Sequence, residues 1–448
     1  MTIKYIINNK KKLINKKFWI KGWVKYLRNN LFLDINDGST INNIQIVFKK
    51  KIKNINIGIT LKVFGKLILL NNKVEIIPLY IKKYGNINKN YFNNSILQNK
   101  FHNLHTLRKQ KYLRFRTKIF STIMRIRHNL SIFTHNYFHK KNFYYIHTPI
   151  ITYNDTEGVG NMFKVTTLDI HNKYYNYKKD FFGDKANLTV SGQLEAESAM
   201  IGLCKVYTFG PVFRAENSNT NKHLSEFWMI EPEIMFYNLK KIIKLSENFI
   251  KYLIKKILKN CKDELLFLEN YNNKKIIKNL YNIYKNKFII ISYNKIIKIL
   301  NKINKKNKIS WGEDINSKNE KILFKKKFKK KIPLIIYNWP KTIKPFYMKI
   351  NKDNITTKSF DILFPYIGEI IGGSEREDSY KKLLKSIKEK KIKRNKINWY
   401  LNLRKLGNIL HSGFGVGFDR LVQLITGMKN IRDVIPYPRY PGNNKNDK

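Results

Sequence analysis

Short apolar runs separated by polar turns occupy the first 84 residues of the chain. The runs cover residues 18–24, 31–35, 44–48, 60–69 and 74–80. Asp, Gly and Ser at 37–39 supply one of the turns between them. Short strands with such punctuation are typical of a small β-barrel. The pattern therefore predicts an N-terminal barrel over residues 1–84.

A polar stretch and a long helix are predicted to follow the barrel. Residues 85–108 are rich in Asn and His, which indicates a linker between domains. Beyond them, apolar residues recur at alternating steps of four and three, which predicts an amphipathic helix that ends before Asn142. These positions are Ile119, Ile123, Ile126, Leu130, Phe133 and Tyr137. A strand running to Pro149 is expected next.

Two further strands, at 213–217 and 226–233, are joined by a polar loop. Side chains alternate between the faces of a strand, so Arg214 and Glu216 share one face. On the return strand, one face carries Phe227, Met229 and Glu231. A guanidinium suits a phosphate, a ring suits a base, and carboxylates suit amines or metal. A hairpin with a charged solvent face would show the same pattern, so both interpretations stay open here.

A glycine-rich segment at 411–417 leads into a predicted helix near the C-terminus. Apolar positions 418, 421, 422, 425 and 428 follow helical spacing, and Arg420 lies off that stripe in the first turn. Glycines allow close backbone approach, and a helix N-terminus with an arginine attracts phosphate oxygens. The spacing matches neither a dinucleotide-binding fingerprint nor a P-loop.

Five phrases of the chain, in this order, resemble motifs of class II aminoacyl-tRNA synthetases of the aspartyl, asparaginyl and lysyl subgroup. Their detail is similar to the asparaginyl-tRNA synthetase family, and the resemblance runs from about Ile20 to Pro441. The phrases are TVSGQLEAE, FRAENSNTNKHLSEFWMIEPE, YNWPKTIKPFYM, GEIIGGSERE and HSGFGVGFDR.

The resemblance implies an α+β fold in three parts. These are a five-stranded OB-fold that binds the anticodon (residues 1–84), a linker (85–108), and a catalytic domain with an antiparallel sheet flanked by helices and motifs 1, 2 and 3 (109–448). The helix that ends before Asn142 resembles motif 1, the hairpin at 213–233 resembles motif 2, and the glycine-rich segment with its helix resembles motif 3. The resemblance implies a homodimer through the motif 1 helix, although periodicity alone indicates only packing on a core. The resemblance assigns anticodon contacts to Arg28, Phe32 and Gln45. The alternative for Phe32 is that its ring packs in the core of the barrel instead of contacting the anticodon.

The implied activity is the ATP-dependent attachment of L-asparagine to tRNA(Asn) through an asparaginyl-adenylate, with release of AMP and pyrophosphate. ATP and Mg²⁺ are the implied cofactors. The resemblance assigns catalysis to Arg214 and Arg420, and metal binding to Asp361 and Glu369. It assigns ATP binding to Arg214, Glu216, Phe227, Asp361, Glu369 and Arg420. It assigns binding of the amino acid to Ser191, Gln193, Glu231, Gly372, Gly373 and Arg376.

Two positions favour asparagine over aspartate as substrate. Ala196 stands where aspartyl enzymes carry a lysine that faces the substrate carboxylate, and an uncompensated buried charge costs several kcal/mol. Glu231 stands where they carry Asp, and a carboxylate accepts from an amide NH₂ but repels a carboxylate. The alternatives are an aspartyl enzyme, one of relaxed specificity, or a noncatalytic RNA-binding paralogue. Glu231 paired to a surface lysine, and Asp361 and Glu369 as solvated loop charges, also stay open.

Composition adds a strongly basic balance, with a formal net charge of +57. That balance favours a polyanionic partner, but Lys, Asn, Ile, Tyr and Phe are enriched together even in loops such as 325–331, so compositional bias explains much of it. Cys204 and Cys261 provide neither a disulfide framework nor a zinc cluster, which fits a reducing cytoplasm. No apolar run is long enough to span a bilayer, so we expect a soluble, cytoplasmic protein without membrane contact. We assign no function to the Lys-, Asn- and Ile-rich segment 240–331.

Overall fold

The computed structural model describes residues 1–71, 73–98, 100–154, 162–169, 171, 176–328, 332–407 and 409–442. The chain divides into two compact units, one from Met1 to Arg125 and one that begins at Ile126. Of the lysine-rich loop at 325–331, residues 329–331 lie outside the described residues.

The first unit contains a closed five-stranded barrel with the order β1-β2-β3-β5-β4, which confirms the predicted barrel. Alternation dictates its core, since every second residue of a strand points inward. Leu33, Ile35, Ile44 and Ile46, for example, are almost fully buried. The strands are β1 (Lys17–Arg28), β2 (Phe32–Asn36), β3 (Ile44–Val47), β4 (Thr60–Leu70) and β5 (Lys73–Lys83).

Among the described residues up to His139, two α-helices precede the barrel strands along the chain, and three follow them. The helix α1 begins after the N-cap Thr2, whose side chain accepts a hydrogen bond from the Tyr5 amide. Its Ile3 and Ile6 join the barrel core, which the sequence pattern did not predict. Two helices lie in or at the end of the stretch expected to be a linker. The helices are α1 (Ile3–Asn8), α2 (Lys10–Leu13), α3 (Lys89–Asn93), α4 (Leu104–Lys109) and α5 (Lys118–His139).

The second unit is built on an eight-stranded sheet with the order β12-β13-β14-β15-β16-β11-β10-β6. Its pairings are antiparallel except for β12 with β13 and β10 with β6. A smaller antiparallel sheet has the order β7-β9-β8. The strands are β6 (Tyr144–Tyr145), β7 (Ile151–Thr152), β8 (Lys164–Val165), β9 (Ala186–Leu188), β10 (Lys205–Phe213), β11 (Glu226–Met235), β12 (Ile289–Ser292), β13 (Leu334–Tyr337), β14 (Ser359–Phe364), β15 (Gly368–Glu375) and β16 (His411–Gly417).

Helices pack against this sheet, which confirms the predicted α+β architecture. The helix α6 contacts β10 and β11, α7 contacts β15 and β16, and α14 contacts β11, β15 and β16. Asn238 caps α7 by accepting from the Lys241 amide. The helices are α6 (Gln193–Leu203), α7 (Leu239–Asn260), α8 (Lys262–Asn272), α9 (Ile276–Lys285), α10 (Tyr293–Ile303), α11 (Ser317–Ile322), α12 (Tyr380–Glu389), α13 (Arg394–Asn402) and α14 (Phe418–Thr426).

The sheet order makes neighbours of segments that are distant in sequence. The strand β11 pairs with both β10 and β16, so the glycine-rich segment lies beside the motif 2 hairpin. The strand expected to run to Pro149 is shorter than predicted, because β6 ends at Tyr145. In the described part of the chain, no helix is both long and apolar enough to cross a membrane.

Candidate active site

One cavity of about 650 Å³ in the second unit collects every residue predicted for ATP, metal or the amino acid. The return strand β11 contributes one face of alternate residues, as the period of two requires. The twelve predicted residues that line the cavity are Ser191, Gln193, Arg214, Glu216, Phe227, Glu231, Asp361, Glu369, Gly372, Gly373, Arg376 and Arg420. Their individual roles stay predictions, but their convergence is a property of the fold.

Arg214 and Phe227 lie across the motif 2 hairpin from each other. Arg214 follows β10, and its amide donates to the Ser225 carbonyl at 2.9 Å, which extends the pairing beyond the strand. Its guanidinium carbon is 5.4 Å from the Phe227 ring centroid. Both side chains are partly exposed, so a planar base and a phosphate can reach them from the cavity.

Arg420 enters the cavity from the first turn of α14. Its Nη1 donates to the Glu369 carbonyl at 2.9 Å. The preceding residue, Asp419, anchors this turn, because it pairs with Arg127 of α5 and accepts from the Trp228 amide at 2.9 Å. A buried carboxylate with two partners therefore fixes the helix start that carries Arg420.

Asp361 and Glu369 bring two carboxylates together beside a glycine. Asp361 pairs with Gly372 across β14 and β15. A Cβ atom on Gly372 would lie 3.3 Å from Asp361 Oδ1 and 3.3 Å from Glu369 Oε1, so both oxygens face the same small space. The described residues contain no group of three or more His, Cys, Asp or Glu side chains that could hold a metal. Two convergent carboxylates nevertheless fit Mg²⁺, which takes one or two of them together with substrate phosphates and water.

A lysine completes this end of the cavity. Lys344 Nζ lies 2.6 Å from Asp361 Oδ2. Burial opposes the charge on Lys344, but Asp361 and Glu369 outweigh burial and raise its pKa. Lys344 therefore remains a cation beside the Asp361 and Glu369 carboxylates.

Glu231 lines the part of the cavity that carries the residues predicted for the amino acid, which we call the amino-acid end; the part with Arg214 and Arg420 is the nucleotide end. Three hydrogen-bond donors hold the Glu231 carboxylate. Its carboxylate accepts from the Ser191 hydroxyl, from the Gly192 amide at 3.1 Å, and from the Thr208 hydroxyl at 3.2 Å. This geometry rules out a Glu231 paired to a surface lysine, since only 5% of the residue is exposed.

Arg376 lines the same cavity as Glu231, and a buried carboxylate holds it in place. Its Nε donates to Glu233 Oε2 at 3.1 Å, its Nη2 donates to Glu233 Oε1, and its Nη1 donates to the Ser374 hydroxyl at 2.9 Å. Burial opposes the charge on Arg376, but Glu233 and Glu197 raise its pKa. The guanidinium is thus fixed in place before any substrate arrives.

Glu197 joins this pair to a wider buried network. One of its oxygens accepts from Gln193 Nε2 at 3.0 Å. The other lies 2.7 Å from the Tyr400 hydroxyl, 2.8 Å from Arg404 Nη2 and 2.9 Å from His411 Nε2. Burial opposes ionisation of Glu197, but Arg404 and His411 hold its pKa below the ordinary value. The network fixes both Gln193 and Arg376 from behind the cavity.

Ala196 is buried in a cluster with Met200, Val206 and Met235 rather than in the cavity wall. The position adds no cation to the amino-acid end. Arg376, which does line that end, is already matched by Glu233. With alanine at position 196, this position of α6 therefore places no unpaired positive charge at the amino-acid end.

The three predicted anticodon residues lie together on the outer face of the barrel. Arg28 pairs with Phe32 across β1 and β2, and its guanidinium carbon is 5.8 Å from the Phe32 ring. Gln45 pairs with Asp34, two residues from Phe32 on the same face. Leu33 and Ile35 point inward instead. Phe32 is therefore not barrel core.

Three residues of the site escaped the sequence analysis. Glu233 lies two residues after Glu231 on the same strand face, and Glu197 lies one helical turn after Gln193, so periodicity offered a signal for both. Lys344 lies within the phrase YNWPKTIKPFYM, but nothing local indicates that it meets Asp361.

Comparison with known proteins agrees with this geometry. Residues 103–441 match the family model described as tRNA synthetases class II (D, K and N). The chain is 47% identical to an asparagine–tRNA ligase of Azobacteroides pseudotrichonymphae, covering 96% of each, and 45% identical to one of Cytophaga hutchinsonii, covering 98% of each.

Solved structures give the same result. An asparaginyl-tRNA synthetase from Pyrococcus horikoshii complexed with asparaginyl-adenylate is similar with a TM-score of 0.86 and 29% identity, over 99% of this chain and 98% of that one. An asparaginyl-tRNA synthetase from Entamoeba histolytica, also with asparaginyl-adenylate, has a TM-score of 0.81 and 25% identity, with 96% of each chain covered. The chain therefore belongs to the class II tRNA synthetases of the D, K and N family.

Proposed function

We propose that this enzyme attaches L-asparagine to tRNA(Asn) through an asparaginyl-adenylate, releasing AMP and pyrophosphate. One observation carries the proposal: a Glu231 carboxylate held by three donors and an Arg376 held by Glu233 share a cavity with Arg214, Phe227 and Arg420. An acceptor and a donor in one cavity match the NH₂ and the carbonyl of a side-chain amide.

The selection against aspartate follows from charge. A substrate carboxylate in place of the amide would meet the Glu231 carboxylate, and like charges at short range in a buried site cost several kcal/mol. Arg376 does not offset this repulsion, because Glu233 already balances it. Ser191 and Gln193 are assigned to the region near the substrate ammonium group, where Glu197 supports Gln193.

Activation then needs positioning and charge stabilisation rather than a protein nucleophile. The asparagine α-carboxylate attacks the α-phosphorus of ATP in line, and the bond to pyrophosphate breaks. Arg214 is assigned to the α-phosphate and Arg420 to the γ-phosphate, with Phe227 and Arg420 on either side of the adenine. In the second step the terminal ribose hydroxyl of the tRNA attacks the adenylate carbonyl and AMP leaves.

Asp361 and Glu369 are the residues that would hold Mg²⁺. When bound, the ion would supply charge neutralisation at the phosphates. Lys344 holds Asp361 in place at 2.6 Å, and Glu369 is exposed to the cavity side of β15.

The remaining assignments are part of the same proposal. Residues 1–84 bind the anticodon through the outer face that carries Arg28, Phe32 and Gln45, because rings and exposed polar groups on a barrel surface suit unpaired bases. Residues 109–448 form the catalytic domain, a homodimer is the working assembly, and the cytoplasm is the compartment.

Amino-acid-dependent exchange of pyrophosphate into ATP tests the proposal directly. We expect L-asparagine to support exchange with a kcat/KM at least about 10²-fold above that for L-aspartate, because a site built around a side-chain amide rejects its charged analogue. Equal exchange with the two amino acids would favour the relaxed enzyme, and exchange with aspartate alone would refute the asparagine assignment.

A further inference from the structure

A second cavity, of about 1120 Å³, lies in the catalytic unit and shares Lys222 of the motif 2 loop with the first one. Its walls come from α9, from the end of α14, and from the turn between β14 and β15. Pockets for small molecules seldom exceed about 1,000 Å³, so the volume suits an extended ligand. None of the predicted site residues lines it.

The charge of this cavity has one sign. Lys222 and six further lysines line it, and no aspartate or glutamate does so among the residues described. Lys222 itself has a carboxylate partner, Glu320, at 3.6 Å. The other lysines are Lys274, Lys275, Lys278, Lys285, Lys321 and Lys429. An unbalanced row of ammonium groups favours a polyanion.

The lysines on α9 are spaced for more than one anionic group. Lys278 and Lys285 are exposed and two helical turns apart. At 1.5 Å per residue this corresponds to about 10 Å along the helix axis, which is too far for a single phosphate. The spacing suits separate phosphates of one strand rather than a single phosphate ion.

Rings lie among these lysines. Tyr281 of α9 is 52% exposed and Tyr366 is 67% exposed. Lys285 Nζ is 5.4 Å from the Tyr281 ring centroid. Tyr366 has φ 72°, a conformation that a bulky residue rarely adopts, and the turn presents its ring to the cavity. Aromatic rings interleaved with lysines are typical of surfaces that bind single-stranded nucleic acid.

A buried acceptor without a partner supports a ligand here. Gln423 of α14 lines the cavity, is 2% exposed, and its Oε1 has no hydrogen-bond partner among the described residues. Leaving a buried polar atom unpaired costs about 1–3 kcal/mol. An amino or hydroxyl group of a nucleotide would satisfy it.

We propose that this cavity, with its lysines, Tyr281 and Tyr366, binds the unpaired 3′-terminal strand of the tRNA as it enters the first cavity. The inference rests on the proposed function, which requires that strand to reach the adenylate. A strand laid along the second cavity meets the first one at Lys222, the residue that lines both.

The test compares two double variants of equal charge change. Lys278→Glu with Lys285→Glu alters the cavity, and Lys295→Glu with Lys298→Glu alters exposed positions on α10 that line neither cavity. Each is assayed for asparagine-dependent pyrophosphate exchange, which needs no RNA, and for the KM of tRNA in aminoacylation. A third variant, Tyr281→Ala, checks the stacking surface.

We expect the cavity variants to keep wild-type exchange, while the KM for tRNA rises at least about tenfold for the lysine pair. The α10 pair should change the KM much less. Binding of tRNA that lacks its unpaired 3′ nucleotides should be equally strong in the wild type and in the Lys278/Lys285 variant.

The inference would be overturned by an unchanged KM for tRNA, by an equal loss in the α10 pair, or by an equal loss with the truncated tRNA. A loss of exchange in the cavity variant would also overturn it, because the residues would then act on activation. Failure of the proposed function is distinguishable, since wild-type protein would then show no exchange with asparagine.

Discussion

The two ends of the first cavity differ in how far their polar side chains are exposed to solvent. At the amino-acid end, Glu231, Arg376 and Glu197 are 5%, 2% and 0% exposed, and each has several hydrogen-bond partners. At the nucleotide end, Arg214 and Arg420 are partly exposed, and Glu216 is exposed. The polar groups at one end are held in position before the substrate arrives, whereas the two arginines at the other end are partly open to solvent.

The difference reflects what each end must recognise. Asparagine and aspartate differ by one amide, so discrimination requires partners that cannot rearrange. ATP carries several charges and a large ring, so partly exposed arginines would gain enough from charge-assisted hydrogen bonds and stacking. Variants at the two ends should therefore fail in different ways.

Arg214→Ala should give the largest effect, at the open end. Loss of the guanidinium assigned to the α-phosphate should reduce asparagine-dependent pyrophosphate exchange by at least about 10³-fold, because a transition-state charge loses its donor. Circular dichroism should show an intact fold, since the side chain is partly exposed. Retained exchange would refute the role of Arg214.

Glu197→Gln tests the buried network at the amino-acid end through its effect on the free energy of unfolding. Removing the Glu197 charge leaves the buried Arg404 guanidinium uncompensated and disturbs the hydrogen bond with His411, and we expect the free energy of unfolding to fall by about 3 kcal/mol. Glu195→Gln is the matched control, because Glu195 is only half-buried and its Oε1 accepts from Asn154 at 3.4 Å. Equal destabilisation of both variants in urea unfolding would contradict a prebuilt network.

Glu231→Gln should alter selection rather than stability. The amide keeps the shape but loses the negative charge, so kcat/KM for asparagine should fall about 10²-fold while discrimination against aspartate narrows. Exchange assays with both amino acids measure this ratio. A fall for asparagine with unchanged discrimination would show that Glu231 does not read the side chain.

Arg420→Lys should give the smallest effect. A lysine keeps the charge but cannot both donate to the Glu369 carbonyl and stack on adenine, so the KM for ATP should rise about tenfold. The KM for asparagine should stay unchanged, which separates the two ends kinetically. A parallel rise in both constants would indicate that the ends are coupled.

Local pattern was sufficient for most of the fold. The five barrel strands match the predicted apolar runs to within a few residues, because alternation of inward and outward side chains is a local property. The helix α1 was missed because it is short, and its Ile3 and Ile6 acquire a reason to be buried only against the closed barrel. The domain limits and the site roles stay predictions.

The site was predictable where motifs name residues and unpredictable where partners come from elsewhere. Glu233 was overlooked although it shares the face of Glu231, and its ion pair with Arg376 joins residues 143 positions apart in sequence. Likewise, Phe32 had two open interpretations until strand register placed Leu33 and Ile35 inside the barrel.

Local pattern and motifs along the chain were enough to establish the family, the alternation of strands and helices, and the kinds of side chain that the chemistry requires. The folded structure was needed to show that Lys344 meets Asp361, that Glu197 supports Arg376, and that lysines of α9 line a cavity beside the first. Backbone pattern depends on near neighbours in sequence. Electrostatic pairing depends on distances in space, which sheet order sets between segments far apart along the chain.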